Sequence, residues 1–318
     1  MLNYLQGKGE CDGMNSDTIV AFPAPVLRPF ITRYAGFRAN GMPEGLHFGL
    51  PSSEVDLIIS LGPAIDVAQM PNPSQAPGVF SALVSGLQDG PAILRQGREA
   101  FGLHVFIKPL GVRAILGVPS IELASSVVSL SDIWGPRGLD LADKVRGARS
   151  WQQRFMILDH LLASSLRPDD GPAEISWAWQ RLRQVHGTVP VERLADVTGY
   201  SRRHFSERFR DAVGVAPKAC ARVLRFERAC RLIADRRASL AHVALACGYY
   251  DQAHLTREWS SLAGCSPGEW IKRELPFLQD YELGGDDNES DDLTSLRQPL
   301  IQRPVRSGVP ILRTLPER

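Results

Sequence analysis

The sequence of 318 residues is poor in cysteine, in long apolar runs and in net charge. Its five cysteines, Cys11, Cys220, Cys230, Cys247 and Cys265, never fall at C-x-x-C spacing. That excludes a zinc framework and a disulfide scaffold, and reads instead as reduced, buried thiols. No uncharged apolar stretch approaches the roughly 18 residues of a membrane span, because Lys108, Arg113 and Glu122 interrupt the best candidates. The opening MLNYLQGKGECDG lacks the apolar core of a signal peptide. These absences predict a cytoplasmic protein with no membrane contact and no resident metal or cofactor.

The near-zero net charge of +1 hides a division. Residues 1–170 carry 14 basic against 16 acidic side chains, residues 171–280 carry 17 against 12, and residues 281–318 carry 5 against 7. A basic middle between mildly acidic ends predicts an anionic partner for the middle alone. Length predicts two domains at roughly 100–200 residues each. The boundaries follow composition: 1–170 as a regulatory, ligand-sensing or dimerisation domain, 171–280 as a helical domain, and 281–318 as a solvated acidic and Pro/Arg-rich tail.

Within the first part, Val55–Leu61 is a short apolar run bounded by Pro51 and Gly62-Pro63, as a buried strand requires. Leu83–Leu87, Ala92–Leu94 and Leu103–Pro109 are further strands. Gly and Pro punctuation between them predicts a small sandwich or barrel. From Val112 to Leu166 the pattern turns helical, with Ser131-Asp132 as a cap and Trp151, Phe155, Leu158 and Leu162 at helical spacing. Arg167–Pro172 reads as a linker.

The segment 173–275 repeats itself. Leu194-Ala-Asp-Val-Thr-Gly-Tyr200, Ser201-Arg-Arg-His-Phe-Ser-Glu-Arg-Phe209 and Gly214-Val-Ala-Pro217 return as Val243-Ala-Leu-Ala-Cys-Gly-Tyr249, Asp251-Gln-Ala-His-Leu-Thr-Arg-Glu-Trp259 and Gly264-Cys-Ser-Pro267. One residue, Tyr250, is inserted in the second turn. Each copy reads as helix, glycine turn, capped helix. Phe205 with Phe209, and Leu255 with Trp259, form the apolar backs. Arg202, Arg203, Ser206, Glu207 and Arg210 then face outward in the first copy, and Gln252, Ala253, Thr256 and Arg257 in the second, with His254 at the edge. Such a polar, Arg-bearing front over an apolar back suits a helix that reads the major groove of double-stranded DNA. Pro217 opens a connector to Asp235 with Val223, Phe226, Cys230 and Ile233 as its buried stripe. It is long enough, at about 27 Å, to place two reading helices on groove faces about 34 Å apart. Arg222, Arg225, Arg228 and Arg231 are its expected solvent or phosphate contacts.

At these residues the sequence resembles the AraC/XylS family of bacterial transcription regulators, over about 100 residues from near Ser176 to Leu275. Gly248-Tyr-Tyr-Asp-Gln-Ala-His-Leu-Thr-Arg-Glu-Trp259 with Gly264-Cys-Ser-Pro267 is similar to the family's most recognisable stretch. The resemblance implies two helix-turn-helix units joined by a helix, and an N-terminal cupin-like barrel followed by helices: an α+β chain whose C-terminal domain is all-α. It implies a sequence-specific regulator, by family habit an activator working with RNA polymerase. A small-molecule effector and a homodimer remain open as partners. Arg203, Ser206 and Glu207, and Ala253, His254, Thr256 and Arg257, occupy the base-facing positions. Arg257 is the candidate for bidentate contact with guanine, while Ser201 and Thr198 would fix register on phosphates. Trp259 and Trp270 stand where Phe and Tyr are usual. Glu207 replaces a longer polar or basic residue, which favours a cytosine amino group.

Plainer readings stand beside these. An Arg-rich helix face is commonly only solvated, but two copies with matching caps argue otherwise. His204 and His254 can pack at helix edges, and Glu207 can pair with Arg203 or Arg210. His47 and His104 lack the H-x-H and neighbouring Glu of a metal-binding cupin and read as strand or loop histidines. Trp134, Trp151, Trp177 and Trp179 read as core, and Cys220 and Cys230 as inert thiols. The competing function is a metal-dependent or DNA-repair enzyme fused to a DNA-binding module; the regulator reading involves no catalytic residue.

Overall fold

A computed structural model describes residues 4–11, 14–167, 171–234 and 238–273; the expected tail 281–318 and part of the expected linker lie outside them. Eleven strands come first: β1 (Tyr4–Cys11), β2 (Met14–Ala21), β3 (Ile31–Asn40), β4 (Gly45–Gly49), β5 (Val55–Ser60), β6 (Ile65–Gln69), β7 (Gly78–Phe80), β8 (Ala82–Ser85), β9 (Ala92–Gln96), β10 (Glu99–Ile107) and, after helix α1 (Val112–Leu116), β11 (Val127–Ser129). They form a seven-stranded sheet in the order β1-β2-β3-β10-β5-β8-β11 and a four-stranded sheet in the order β4-β9-β6-β7. All pairings are antiparallel.

From β3 to β10 the chain passes back and forth between the two sheets. The order β3-β10-β5-β8 opposite β4-β9-β6-β7 is that of a jelly roll, the double-sheet barrel to which cupins belong. The expected N-terminal barrel is therefore present, with more strands than the sequence reading named. All four strands inferred from sequence lie on observed strands, β5, β8, β9 and β10.

Alternation along the larger sheet decides which face carries the core. Val55, Leu57, Ile59, Leu103, Val105 and Ile107 are at most 1% exposed and share one apolar core with Ile115, Leu116, Leu141, Phe155 and Leu158. Burial of each such side chain is worth about 1.5–3 kcal/mol. The helices supplying that cover are α1, α2 (Leu130–Trp134), α3 (Pro136–Gly147) and α4 (Trp151–Ala163). The cap of α2 corrects the sequence reading: Ser129, not Ser131, is the N-cap, and its hydroxyl accepts the Ser131 N–H. Trp151 lies against β3 where residue 36 is glycine; a Cβ there would sit 2.3 Å from the indole ring. Arg154 stacks on the same indole at 4.9 Å and donates to the carbonyls of Val145 and Ala148, fixing the end of α3.

The rest is helical: α5 (Ala173–Gln184), α6 (Val191–Thr198), α7 (Arg202–Val213), α8 (Pro217–Ala234), α9 (Leu240–Ala246), α10 (Gln252–Ala263) and α11 (Pro267–Arg273). They are anchored differently. Ile175, Leu182, Leu194, Phe205, Phe209, Val213 and Leu224 belong to the same core as the barrel's outer face. Val223, Phe226, Cys230, Ile233, Val243, Leu255, Trp259 and Trp270 form a second core. The stripe expected on the connector is buried, but it serves only the second core. Among the described residues, no helix is long and apolar enough to cross a membrane, and no group of three or more His, Cys, Asp or Glu is placed to hold a metal ion.

Candidate nucleic-acid interface

Helices α6 and α7 form the first helix-turn-helix unit. The turn between them rests on Gly199 at φ 74°, a left-handed conformation that favours glycine. Ser201 caps α7 by accepting the His204 N–H, which frees the helix to start at Arg202. Phe205 and Phe209, ring centroids 5.7 Å apart, hold the back of α7 in the core. Arg202, Arg203, Glu207 and Arg210 are exposed and Ser206 is half-buried, so the five positions expected on the front share one accessible side. Glu207 pairs with Arg203 at 2.9 Å and Arg202 with Glu192 at 3.1 Å. The Ser206 hydroxyl donates to the Arg202 carbonyl at 2.9 Å. Arg208 is also exposed and adds a cation that the sequence reading passed over. Thr198 turns its hydroxyl back onto the carbonyls of Leu194 and Ala195, so its proton is engaged inside α6.

The second unit repeats the design on α9 and α10. Gly248 has φ 77°, and Asp251 accepts the His254 N–H at 2.6 Å. Gln252, Ala253 and Arg257 are exposed, while Thr256 and His254 are half-buried. Among the described residues Arg257 forms no ion pair, so its guanidinium is available. His254 is more committed. Its Nδ1 accepts the Tyr250 N–H at 3.2 Å, its ring meets Tyr249 edge-on, and its Nε2 lies 3.7 Å from Glu258. Tyr250, the inserted residue, is 88% exposed beside the start of α10.

Glu258 is the residue that sequence reasoning missed. Its carboxylate lies 3.3 Å from Arg222 and 3.2 Å from Arg225. Arg225 also donates to the Gly187 carbonyl at 3.2 Å and sits over the Tyr249 ring. The expected role of Arg222 and Arg225 as solvent or phosphate contacts is therefore corrected. Both are turned onto α10, because a half-buried carboxylate there offers a better partner than water. The only sequence signal was that Glu258 follows His254 by one helical turn, on the flank facing the connector. The result is a joint in which α8, about 27 Å long, is tied to α10 by two guanidiniums.

The thiols of Cys220, Cys230, Cys247 and Cys265 are buried. Burial pushes Cys220 and Cys230 well above the ordinary thiol range, and Cys247 up to about 11.

Comparison with known proteins bears on this region. Residues 194–273, both units together, match the family model described as "Helix-turn-helix domain". The chain is 31% identical over 110 residues to the MmsAB operon regulatory protein of Pseudomonas aeruginosa, covering 34% of this chain and 36% of that one. It is 30% identical over 125 residues to the RCS-specific HTH-type transcriptional activator RclR of Escherichia coli K12, covering 39% and 43%. The chain thus spans about two fifths of the length of these curated relatives. Among solved structures, ToxT from Vibrio cholerae O395 aligns over 74% of this chain and 95% of its own, with a TM-score of 0.43 and 8% identity, a likeness too low to bear on the fold.

Proposed function

We propose that this chain, whose residues 194–273 form a helix-turn-helix domain of the kind found in AraC/XylS regulators, is a sequence-specific DNA-binding transcription regulator. Helices α7 and α10 enter two successive major-groove segments of double-stranded DNA, so that one chain reads a site without internal symmetry. One observation carries this reading: two capped reading helices with matching polar fronts, held on one connector. In the first unit Arg202, Arg203, Ser206, Glu207 and Arg210 contact the duplex; in the second Gln252, Ala253, His254, Thr256 and Arg257 do so. Arg257, exposed and unpaired with any described residue, reads a guanine by two hydrogen bonds. Arg203 and Glu207 act as a pair, and Glu207 reaches a cytosine amino group only when that pair opens.

In the same proposal residues 1–170 regulate, residues 171–280 read DNA, and 281–318 form an appended tail. The regulator acts by binding rather than by catalysis, resides in the cytoplasm and activates through RNA polymerase. A small-molecule effector would bind in the barrel, and a homodimer would pair two half-sites. No specific observation favours the competing enzyme reading.

The test is competition binding at about physiological salt. A sequence selected from random DNA should bind about a thousandfold or more above random duplex. A salt-sensitive affinity equal on all sequences would leave the module as an electrostatic anchor and refute the proposal.

A further inference from the structure

The second helix-turn-helix unit touches the loop that leads into the first. Between α5 and α6 the chain turns on two consecutive residues of positive φ, His186 at 47° and Gly187 at 73°. A non-glycine residue in this conformation is uncommon and marks a place where the surroundings dictate the backbone. Two neighbours do so here. A Cβ at residue 187 would sit 2.2 Å from the Ala221 carbonyl oxygen, so the loop lies directly on α8. The next residue, Thr188, lies against the glycine turn of the second unit: a Cβ at residue 248 would sit 2.9 Å from its Cγ2.

Arg225 closes this contact. One guanidinium nitrogen donates to the Gly187 carbonyl at 3.2 Å, and the other donates to the Glu258 carboxylate on α10 at 3.2 Å. Arg225 stands where α8 passes from one core to the other, since Leu224 belongs to the first and Phe226 to the second. Apolar packing of α8 against each unit is non-directional and specifies the rotation of one unit against the other only weakly. A planar fork with fixed donor directions specifies it sharply. As mere attachment the arrangement is costly. The Arg225 Nε is buried without a hydrogen bond, and apolar residues of similar volume commonly hold packed helices as well as a buried ion pair does. What the guanidinium supplies is direction.

We propose that Arg225 is a positioning residue that makes the protein select DNA by the spacing of its two half-sites as well as by their bases. The proposal rests on α7 and α10 being the two reading helices. Arg225 reaches no base itself. It holds Glu258 and Gly187 to one another, and so fixes the rotation of α10 relative to the first unit. One base pair added between the half-sites turns the second by about 35° and moves it about 3.4 Å. Two readers joined by a directional bridge do not follow that displacement, so the DNA must twist or bend to meet them.

The experiment is competition binding of the full chain on a site selected from random DNA, and on versions lengthened or shortened by one and two base pairs between the half-sites. The wild type is expected to lose about tenfold or more for the first base pair. Arg225→Lys keeps the charge but not the fork, and Arg225→Met keeps little beyond the volume. Both should reduce the one-base-pair penalty to about threefold or less, with binding to the first half-site unchanged and unfolding still cooperative. Glu258→Gln keeps the shape and removes the charged anchor of the fork; it should flatten the spacing profile in the same direction, and decides the matter if the Arg225 variants do not fold. A merely structural residue would lower affinity at every spacing by one factor and leave the ratios intact. That result, or a wild type indifferent to spacing, overturns the proposal while the DNA reading stands. If no sequence can be selected, the DNA reading falls and the proposal falls with it.

Discussion

Replacing Glu258 by alanine removes a carboxylate but leaves two guanidiniums facing the space it occupied. Its side chain is 16% exposed, against 23% for Arg222 and 17% for Arg225, so the trio is neither at the surface nor fully dry. Breaking a fully buried pair costs about 3–5 kcal/mol, chiefly by stranding the partner charge; exposed pairs are worth about 0–1 kcal/mol. The intermediate burial places Glu258→Ala at about 2–3 kcal/mol. With roughly 2–4 °C of Tm per kcal/mol for a domain of more than 150 residues, the melting temperature should fall by roughly 4–12 °C. Glu258→Gln keeps the shape and should lie between variant and wild type. The loss should be local. Hydrogen exchange should rise across α9–α11 while α6, α7 and the barrel, which share the other core, stay protected. Affinity for a full two-groove site should fall about tenfold and binding to the first half-site should persist. A variant melting within about 1 °C of wild type, with unchanged exchange in α10, would show that the carboxylate is an ordinary surface group.

Three further outcomes follow from particular contacts. Arg257→Ala should cost about 1–3 kcal/mol at one base pair, read by competition with single-base variants of the selected site; equal losses on selected and random DNA would refute its role. Gly36→Ala should destabilise by about 1–3 kcal/mol through overpacking, because the Trp151 ring occupies the position of the new methyl; urea melts measure it, and the double variant with Trp151→Leu should recover part of the loss. Asp56 has a folded value of about 7 against an ordinary 3.8, so the stability it contributes is fully present below about 3.8 and is lost as pH rises through 7. Asp56→Asn should therefore be more stable than wild type at pH 8 and lose that advantage near pH 4; equal urea midpoints at pH 8 would contradict the burial of an unpaired carboxylate.

The helix-turn-helix part of the molecule was legible because its determinants are local. Gly199 and Gly248 terminate helices in left-handed conformation, Ser201 and Asp251 cap the next ones, and the repeat fixes both pairs at nearly one spacing. The barrel was legible only in part. On β5 and β10 the outward residues alternate cleanly, but β3 mixes Arg33, Phe37 and Arg38 with Ala35 and Gly36, and β4, β6 and β7 are short. Such strands acquire meaning from cross-sheet partners rather than from their own pattern. The long-range contacts of Ser53 with Glu227 and of Glu258 with Arg222 and Arg225 join distant segments through single side chains. Periodicity has no access to them. The same distance explains why Arg222 read as a solvated cation: its helix face is polar, and only the packed α10 supplies its carboxylate.

The central claim, one chain reading two neighbouring grooves through α7 and α10, is tested most directly by a hydroxyl-radical footprint of the purified protein on its selected site. Two protected segments about one helical turn apart on one face of the duplex, with Arg257→Ala weakening only the segment under α10, is the predicted result. A single short protected segment, or protection spread evenly along the duplex and lost in both wild type and variant as salt is raised, would contradict it.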